Sequence, residues 1–375
     1  MHMRARPRSD VVGVIVLFPG FPAPYSRLLY RNVAKCGVDV YLRRLHHGGF
    51  LDLVLKALQG KRGIRIVHLH LIEFCFRSHS VLGASMMAYN FVLKLVFLRF
   101  IMRLRIVITL HNAVPHERLY PKIEHVVFAL ALRLSDRIIV HNNYSRKLAE
   151  RIYKVCAQKM SLIPHGNFLD YYSDTTKSRS RAEARKKLGI PMHKFVLLFF
   201  GRIRHYKGVQ LLLQAFKKAV DRNPNLFLVI AGKPWDLRLE RELREFQRHF
   251  PANCLIEMGY VPDSEVQAFM NAADVGILPY HIITTPGSLL LFMSFGKPTI
   301  APRLPPIEEL VSNDFCILYE KNDPDSLVEA ILTIATTHGS LSTMGKKALE
   351  RAKAYDWMKA AHMTSSLYSD LLRNS

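Results

Sequence analysis

A chain of 375 residues exceeds what one hydrophobic core ordinarily supports, so two domains are expected. With 49% hydrophobic and 22% charged residues it reads as globular and not as a disordered chain. Lys and Arg outnumber Asp and Glu by 53 to 30, leaving a formal charge of +23 spread along the whole chain. That spread fits an anionic membrane surface and phosphate-bearing substrates better than nucleic acid, whose binders gather cations in runs among exposed aromatics.

The opening MHMRARPRSD is basic, and VVGVIVLF after it is short and ends in Pro-Gly, a first core strand and not a signal peptide. In the following loop, FPGFPAPYSRLLY, Gly20 gives a backbone room to approach a ligand and Arg27 adds a cation; a Pro-stiffened turn explains the stretch equally well. VDVYLRRL, IRIVHLHL, LRIVITLHN and DRIIVHN continue the β-branched runs, each followed by a longer helical segment, and SLIPHGNF closes the series. Continuous apolar strands between helices predict a parallel sheet covered on both faces. The longest apolar stretch, residues 81–104, is interrupted by Lys94, Arg99 and Arg103. It reads as a packed helix of the domain, with a helix lying on a membrane face as the alternative.

Residues 173–191 are polar and basic and read as a linker with a short helix. The alternation then restarts with FVLLFFG, LFLVIAG, LIEMGYV, VGILPY, PTIAP and FCILY, predicting a second doubly wound domain. Trp357, Met363, Leu367 and Leu371 at helical spacing predict a closing helix. The five cysteines are far apart without CxxC spacing, which predicts buried free thiols and neither a zinc site nor disulfides. The expected boundaries are 1–175 for an N-terminal domain, 176–190 for a linker, 191–352 for a C-terminal domain and 353–375 for a helix packing back on the first domain.

Ligands of parallel sheets bind beyond the carboxyl ends of the strands, so motifs there matter most. In FFGRIRHYKGVQLLLQAF, residues 199–216, a strand ends at Gly201 and a basic loop precedes a helix. Arg202 offers a planar fork and Lys207 a point charge, a pair suited to a diphosphate. In PYHIITTPGSLLLFMSFGKP, residues 279–298, Thr285 suits an N-cap and Pro286 the first helical position. The amides of Gly287, Ser288 and Leu289, together with the helix dipole, are then expected to receive an anion. No carboxylate lies in that stretch.

With AGKPWD, GYVPDSEVQAFMNAADVGILPY and SFGKPTIAP, these residues make the chain from about residue 11 to its end resemble the bacterial and archaeal glycosyltransferase family 4, or glycosyltransferase group 1, proteins. The resemblance implies the α/β GT-B fold: two facing Rossmann-like doubly wound domains and a C-terminal crossing helix. It implies transfer of a sugar from a nucleotide-diphosphate donor, with Arg202 and Lys207 on the diphosphate and no metal or other cofactor. It places the base and ribose against Gly259, Tyr260, Val261 and Pro262. Many members carry glutamates where this chain has Ile283 and Leu291, so the retaining outcome is not carried over. ITTPGSLLLFMSFGKP, IPHGN and TLHNAVPHE instead look like the exopolysaccharide and lipid-linked-oligosaccharide transferases.

The N-terminal half is expected to hold the acceptor and any acid–base residue. His68, His70 and Glu73 form one cluster at a strand end; His111, His116 and Glu117 form another. His111 and Glu117 are preferred as catalytic residues because their loop follows the strand expected to border the cleft. His165 in IPHGN is expected to reach the donor phosphates, and Asn167 to shape a turn. The expected function is transfer of a hexose, mannose from GDP-mannose first and a UDP-sugar second, to a lipid-linked or polysaccharide acceptor. The expected place is peripheral, on the cytoplasmic face of the plasma membrane, beside anionic lipid and with no nucleic-acid partner. A non-catalytic nucleotide-sugar-binding or scaffold subunit and a GT-B nucleotide-sugar epimerase are the alternatives.

Overall fold

The computed structural model describes residues 2–3, 12–18, 24–44, 64–173, 180–337 and 339–373. The apolar runs fold as expected into twelve parallel strands, with a short antiparallel strand added, β1 (His2–Met3). The first sheet contains β2 (Val12–Phe18), β3 (Val38–Arg44), β4 (Ile64–His70), β5 (Arg105–Thr109), β6 (Arg137–Val140) and β7 (Met160–Leu162), in the order β1-β3-β2-β4-β5-β6-β7. The second contains β8 (Phe195–Phe200), β9 (Leu226–Gly232), β10 (Cys254–Met258), β11 (Val275–Ile277), β12 (Thr299–Pro302) and β13 (Cys316–Tyr319), in the order β10-β9-β8-β11-β12-β13. Counting strands within each parallel sheet gives 2-1-3-4-5-6 and 3-2-1-4-5-6, two doubly wound Rossmann-like folds. Their crossovers are helices because parallel neighbours cannot be joined by a tight turn.

The chain divides into two units, Met1–Gly166 with Tyr355–Ser375, and Asn167–Ala354. The division therefore comes earlier than the expected 175. Asn167 Nδ2 donates to the Ala352 carbonyl at 3.0 Å, the Phe168 amide to Ser294 Oγ at 2.9 Å, and the Tyr171 hydroxyl to Asp263 at 2.6 Å. The polar helix Arg181–Leu188, expected inside a linker, is likewise an integral part of the second unit. Its Arg185 is fully buried, pairs with Asp274 at 2.8 Å and donates to the carbonyls of Ala272, Met192 and Lys194.

In the first unit the inward residues of the sheet, such as Leu17, Leu69, Ile108 and Val140, pack with Phe91, Leu95, Phe128 and Leu132 from two helices. Each such side chain contributes about 1.5–3 kcal/mol by leaving water. The closing helix Trp357–Arg373 belongs to this unit and packs on helix Pro24–Lys35. Helix Val81–Val96, extended by a wider turn over Phe97–Ile101, packs on one face only. Ala84, Ala88, Phe91 and Leu95 face the core, whereas Leu82, Met86, Tyr89, Leu93 and Phe100 are exposed. The cysteines are free, but only Cys75, Cys254 and Cys316 are buried; Cys156 is exposed and Cys36 half-buried.

Candidate functional site

In the second unit the strand order reverses between β8 and β11, so the loops leaving these strands flank the point where an open sheet receives its ligand. The β8 loop is braced from the β9 side. Ile203 bridges Pro234, the Arg204 guanidinium stacks 3.5 Å from the Trp235 ring centre, and His205 Nε2 lies 2.7 Å from Asp236. Asp236 also caps helix Leu237–His249, accepting from the Leu239 amide at 2.9 Å.

On the other side the β8 loop is locked to the β11 loop. Gly208 has φ +67°, and a Cβ there would lie 1.9 Å from the Pro279 carbonyl oxygen, so only glycine allows this approach. The His281 amide donates to the Tyr206 carbonyl at 2.9 Å. Lys207 is thereby held in a fixed place, 9% exposed, with its ammonium 5.6 Å from the Tyr280 ring centre and 6.0 Å from that of Phe199. A methyl on Gly201 would sit 3.4 Å from Lys207 Nζ and 3.9 Å from Ser288 Oγ, so ammonium and hydroxyl converge on one point at the strand end. The Ser288 hydroxyl also lies near the Tyr280 phenol.

No carboxylate pairs with Lys207 among the described residues, and burial, then Arg204 and Arg202, push its pKa down to about 8. Arg202 is exposed and likewise has no acidic partner among them. A buried ammonium without a counter-ion, beside a second free cation, is a receptor waiting for an anion.

The start of helix Gly287–Ser294 departs from expectation. Pro286, and not Thr285, is its cap residue, with φ −81° and ψ 66°, and no side chain caps the helix. The Gly287 amide donates to the Thr285 carbonyl at 2.9 Å, an inverse γ-turn centred on Pro286. The Leu289 amide donates to the Pro286 carbonyl at 3.1 Å, and the Leu289 side chain is fully buried. Of the three amides expected to meet an anion, only that of Ser288 has no acceptor among the described residues. Ile283 and Leu291 are each 8% exposed and serve as apolar core. Tyr260, 78% exposed, and the half-buried Val261 follow β10, an edge strand separated from β8 by β9.

In the first unit, histidines line the carboxyl ends of four adjacent strands: His70 ends β4, His111 follows β5, His141 follows β6 and His165 follows β7. The Tyr25 ring packs at their centre, 4.8 Å from His111, 4.9 Å from His165, 5.3 Å from His141 and 5.3 Å from Trp357. His70 Nδ1 lies 2.9 Å from His111 Nε2, and the Tyr30 hydroxyl links His70 to His68 Nδ1, the latter at 2.8 Å. His68 Nε2 lies 2.8 Å from Thr109 Oγ1, and its Nδ1 2.6 Å from the Tyr368 hydroxyl. Burial pushes every one of these imidazoles down: His68 and His165 to about 3, His141 to about 4, and His70 and His111 well below the usual range. They are neutral at pH 7, so the cluster can accept hydrogen bonds from hydroxyl groups without repelling a cationic partner.

His141 was not among the residues expected from sequence. Its Nδ1 lies 2.9 Å from the Ile163 carbonyl oxygen, which only an N–H can satisfy. Nε2 therefore carries the lone pair, and it is buried with no donor among the described residues. The signal was present: DRIIVHN places a histidine directly after a strand, in line with HLH and TLH.

The other candidates divide. His111 joins the histidine row, whereas Glu117 is held by Arg77, at 3.5 Å through its carboxylate and 3.1 Å through its carbonyl. Glu73 accepts from Asn112 Nδ2 at 3.1 Å, and burial raises its pKa. His165 sits in the histidine row with Nδ1 2.7 Å from the Gly166 carbonyl oxygen. Gly20 lies outside the described residues.

Comparison with known proteins agrees with the fold. Residues 180–351 match the family model described as glycosyl transferases group 1. The chain is 27% identical over 230 residues, 59% of its length, to the D-inositol 3-phosphate glycosyltransferase of Corynebacterium glutamicum, covering 54% of that protein. It is 25% identical over 293 residues, 73% of its length, to that of Corynebacterium efficiens, covering 67%. The matched region thus spans between about half and two thirds of these curated relatives. Among solved structures, Anabaena Alr3699/HepE in complex with UDP and glucose superposes with a TM-score of 0.74 at 17% identity, over 96% of this chain and 99% of that one. The sucrose-phosphate synthase of Thermosynechococcus elongatus gives 0.74 at 17% identity, over 98% and 100%.

Proposed function

We propose that this chain, a glycosyl transferases group 1 protein of GT-B fold, transfers a hexosyl group from a nucleotide-diphosphate donor held by its second unit. The acceptor binds at the histidine row of the first unit. The carrying observation is Lys207: buried, without a counter-ion, and aimed with Ser288 at the switch point of a 3-2-1-4-5-6 sheet. An ammonium there gains most when negative charge grows on the leaving diphosphate, so it lowers the barrier to transfer more than it tightens binding. Arg202 and the Ser288 amide add two further donors, and these cations take the part a divalent metal plays elsewhere. His111, second in the row, accepts a hydrogen bond from the acceptor hydroxyl and orients it.

Mannose from GDP-mannose is the first donor expected and a UDP-sugar the second, with a lipid-linked or polysaccharide acceptor at the cytoplasmic membrane face. Ile283 and Leu291, apolar and buried, favour one other reading, a nucleotide-sugar-binding subunit that does not turn over. A thermal-shift screen of the whole chain against GDP-, UDP- and ADP-sugars, followed by release of nucleoside diphosphate with lipid extract as acceptor, decides between them. A donor that stabilises the fold without product release supports the binding subunit; no stabilisation by any donor overturns both.

A further inference from the structure

The first unit carries a surface that the transfer reaction does not use. Along the helix Val81–Ile101, the exposed residues Leu82, Met86, Tyr89, Leu93, Val96 and Phe100 repeat every three or four positions, a stripe of large apolar side chains facing outward. A soluble helix places polar residues on that face. The opposite stripe, Ala84, Ala88, Phe91, Leu95 and Leu98, is buried, and most of it belongs to the first unit's core, so the helix is fixed along the domain surface. The exposed stripe widens through a groove of about 390 Å³, where Tyr89 and Val92 face Ile123, Val126 and Leu130 of helix Pro121–Leu134. Isolated exposed leucines are ordinary, but contiguous apolar surface on a monomer marks a contact.

At the carboxyl end of the stripe lies a cavity of about 470 Å³ lined by Arg65, Arg99, Arg103, Arg105, Phe100, Leu104, Asp136 and Leu372. Among the described lining residues four guanidinium groups accompany one carboxylate. Asp136 is already committed to Arg99 at 3.0 Å, Arg105 at 3.2 Å and the Ile106 amide at 2.8 Å. Arg65 and Arg103 have no acidic partner among the described residues. Arg103 also adopts φ +53°, an uncommon backbone for a bulky residue. The cavity opens at the amino ends of β4, β5 and β6, the opposite edge of the sheet from the histidine row. It is therefore separate from the acceptor site.

We propose that this face docks the protein on an anionic phospholipid bilayer, the helix lying flat with its stripe among the acyl chains and the arginine cavity taking a lipid phosphate. Charge complementarity selects this occupant over a second copy of the chain, because two such cavities would repel one another. An interfacial helix requires this pairing of an apolar stripe with cations at its border. The docking surface deepens the membrane-face reading above and rests on it for location only, since vesicle binding and sugar transfer are measured separately.

The test is co-sedimentation of the full chain with vesicles of phosphatidylcholine alone and of phosphatidylcholine mixed with phosphatidylglycerol. Binding to the mixed vesicles is expected, weakened by salt. The double variant Arg65→Gln/Arg103→Gln is expected to bind about fivefold less tightly for each charge removed. Arg65→Lys/Arg103→Lys, which keeps the charge, is expected to bind nearly as wild type, and Leu82→Ser/Met86→Ser/Phe100→Ser roughly tenfold or more weakly. Unchanged melting of the variants shows that they fold. Binding indifferent to phosphatidylglycerol overturns the proposal, as does wild-type binding by either neutralised variant. Inorganic phosphate that raises the melting temperature of the wild type but not of Arg65→Gln/Arg103→Gln, in a chain that ignores vesicles, makes the cavity a soluble-anion site, and dimers abolished by the serine variant make the face a protein interface. A chain that transfers sugar but ignores vesicles loses the docking surface and keeps its transferase assignment.

Discussion

Replacing Lys207 by Met should make the free protein more stable while abolishing transfer. A fall in pKa from the ordinary 10.5 to about 8 means that burial, with Arg204 and Arg202, disfavours the charged ammonium by on the order of 3 kcal/mol at pH 7. Met keeps nearly the same length and brings no charge, so the second unit should gain part of that amount. At about 2–4 °C per kcal/mol for a domain of this size, melting should rise by several degrees. The sign follows from linkage. The folded pKa is depressed, so the wild-type chain is least stable below pH 8 and recovers as pH rises toward 10.5. The gap between variant and wild type should therefore be widest at neutral pH and close in alkali. Donor binding reverses the balance, because a diphosphate supplies the missing counter-ion; nucleoside diphosphate should stabilise the wild type and not the variant. Differential scanning calorimetry from pH 7 to about 10, with and without UDP or GDP, reads all of this. A variant that melts below wild type at pH 7 refutes the claim of an unpaired buried charge, and one that retains turnover refutes its role.

Gly208→Ala should destabilise the second unit by more than about 2 kcal/mol and weaken donor binding as well, because both the φ of +67° and the 1.9 Å approach to the Pro279 carbonyl oxygen must relax; urea unfolding checks the first and calorimetric titration the second. Arg185→Met should cost about 3–5 kcal/mol, since it leaves Asp274 and three carbonyls in the interior without their donor, and a loss under about 1 kcal/mol would return the helix Arg181–Leu188 to the status of a linker. His141→Phe should flatten the acid side of the stability curve. The wild-type imidazole is held near 4, so its contribution is present above pH 6.5 and lost as pH falls toward 4, by on the order of 3 kcal/mol; urea midpoints across that range that are parallel for the two proteins would remove His141 from the buried row.

The cationic loop of the second unit was legible because its chemistry is local. GRIRHYKG carries the strand end, the cations and the turn glycine within one loop, and the folded loop keeps them in that relation. What composition could not show was the turn centred on Pro286, since Thr-Pro-Gly-Ser suits a proline at the first helical position as well as at the cap. The histidine row depends on alignment across four strands; His70, His111 and His165 were singled out in their own motifs, and His141 joins them only once the strands are set side by side. Arg185 was hidden for the opposite reason: a helix of RAEARKKL looks solvated, and only the packing reveals that one arginine points inward. The helix over residues 81–101 packs one face as expected and leaves the other exposed, because an apolar segment states how much surface must be covered but not what covers it.

The two halves meet the same physical problem in opposite ways. The second unit keeps a cation buried without an anion, and stabilising it requires a ligand that brings negative charge. The histidine row of the first unit is neutral, and His141 Nε2, a buried lone pair with no donor among the described residues, calls for a hydroxyl donor rather than an anion. A charged diphosphate answers the first demand and a polyol hydroxyl the second, the two chemistries that the proposed sugar transfer brings together.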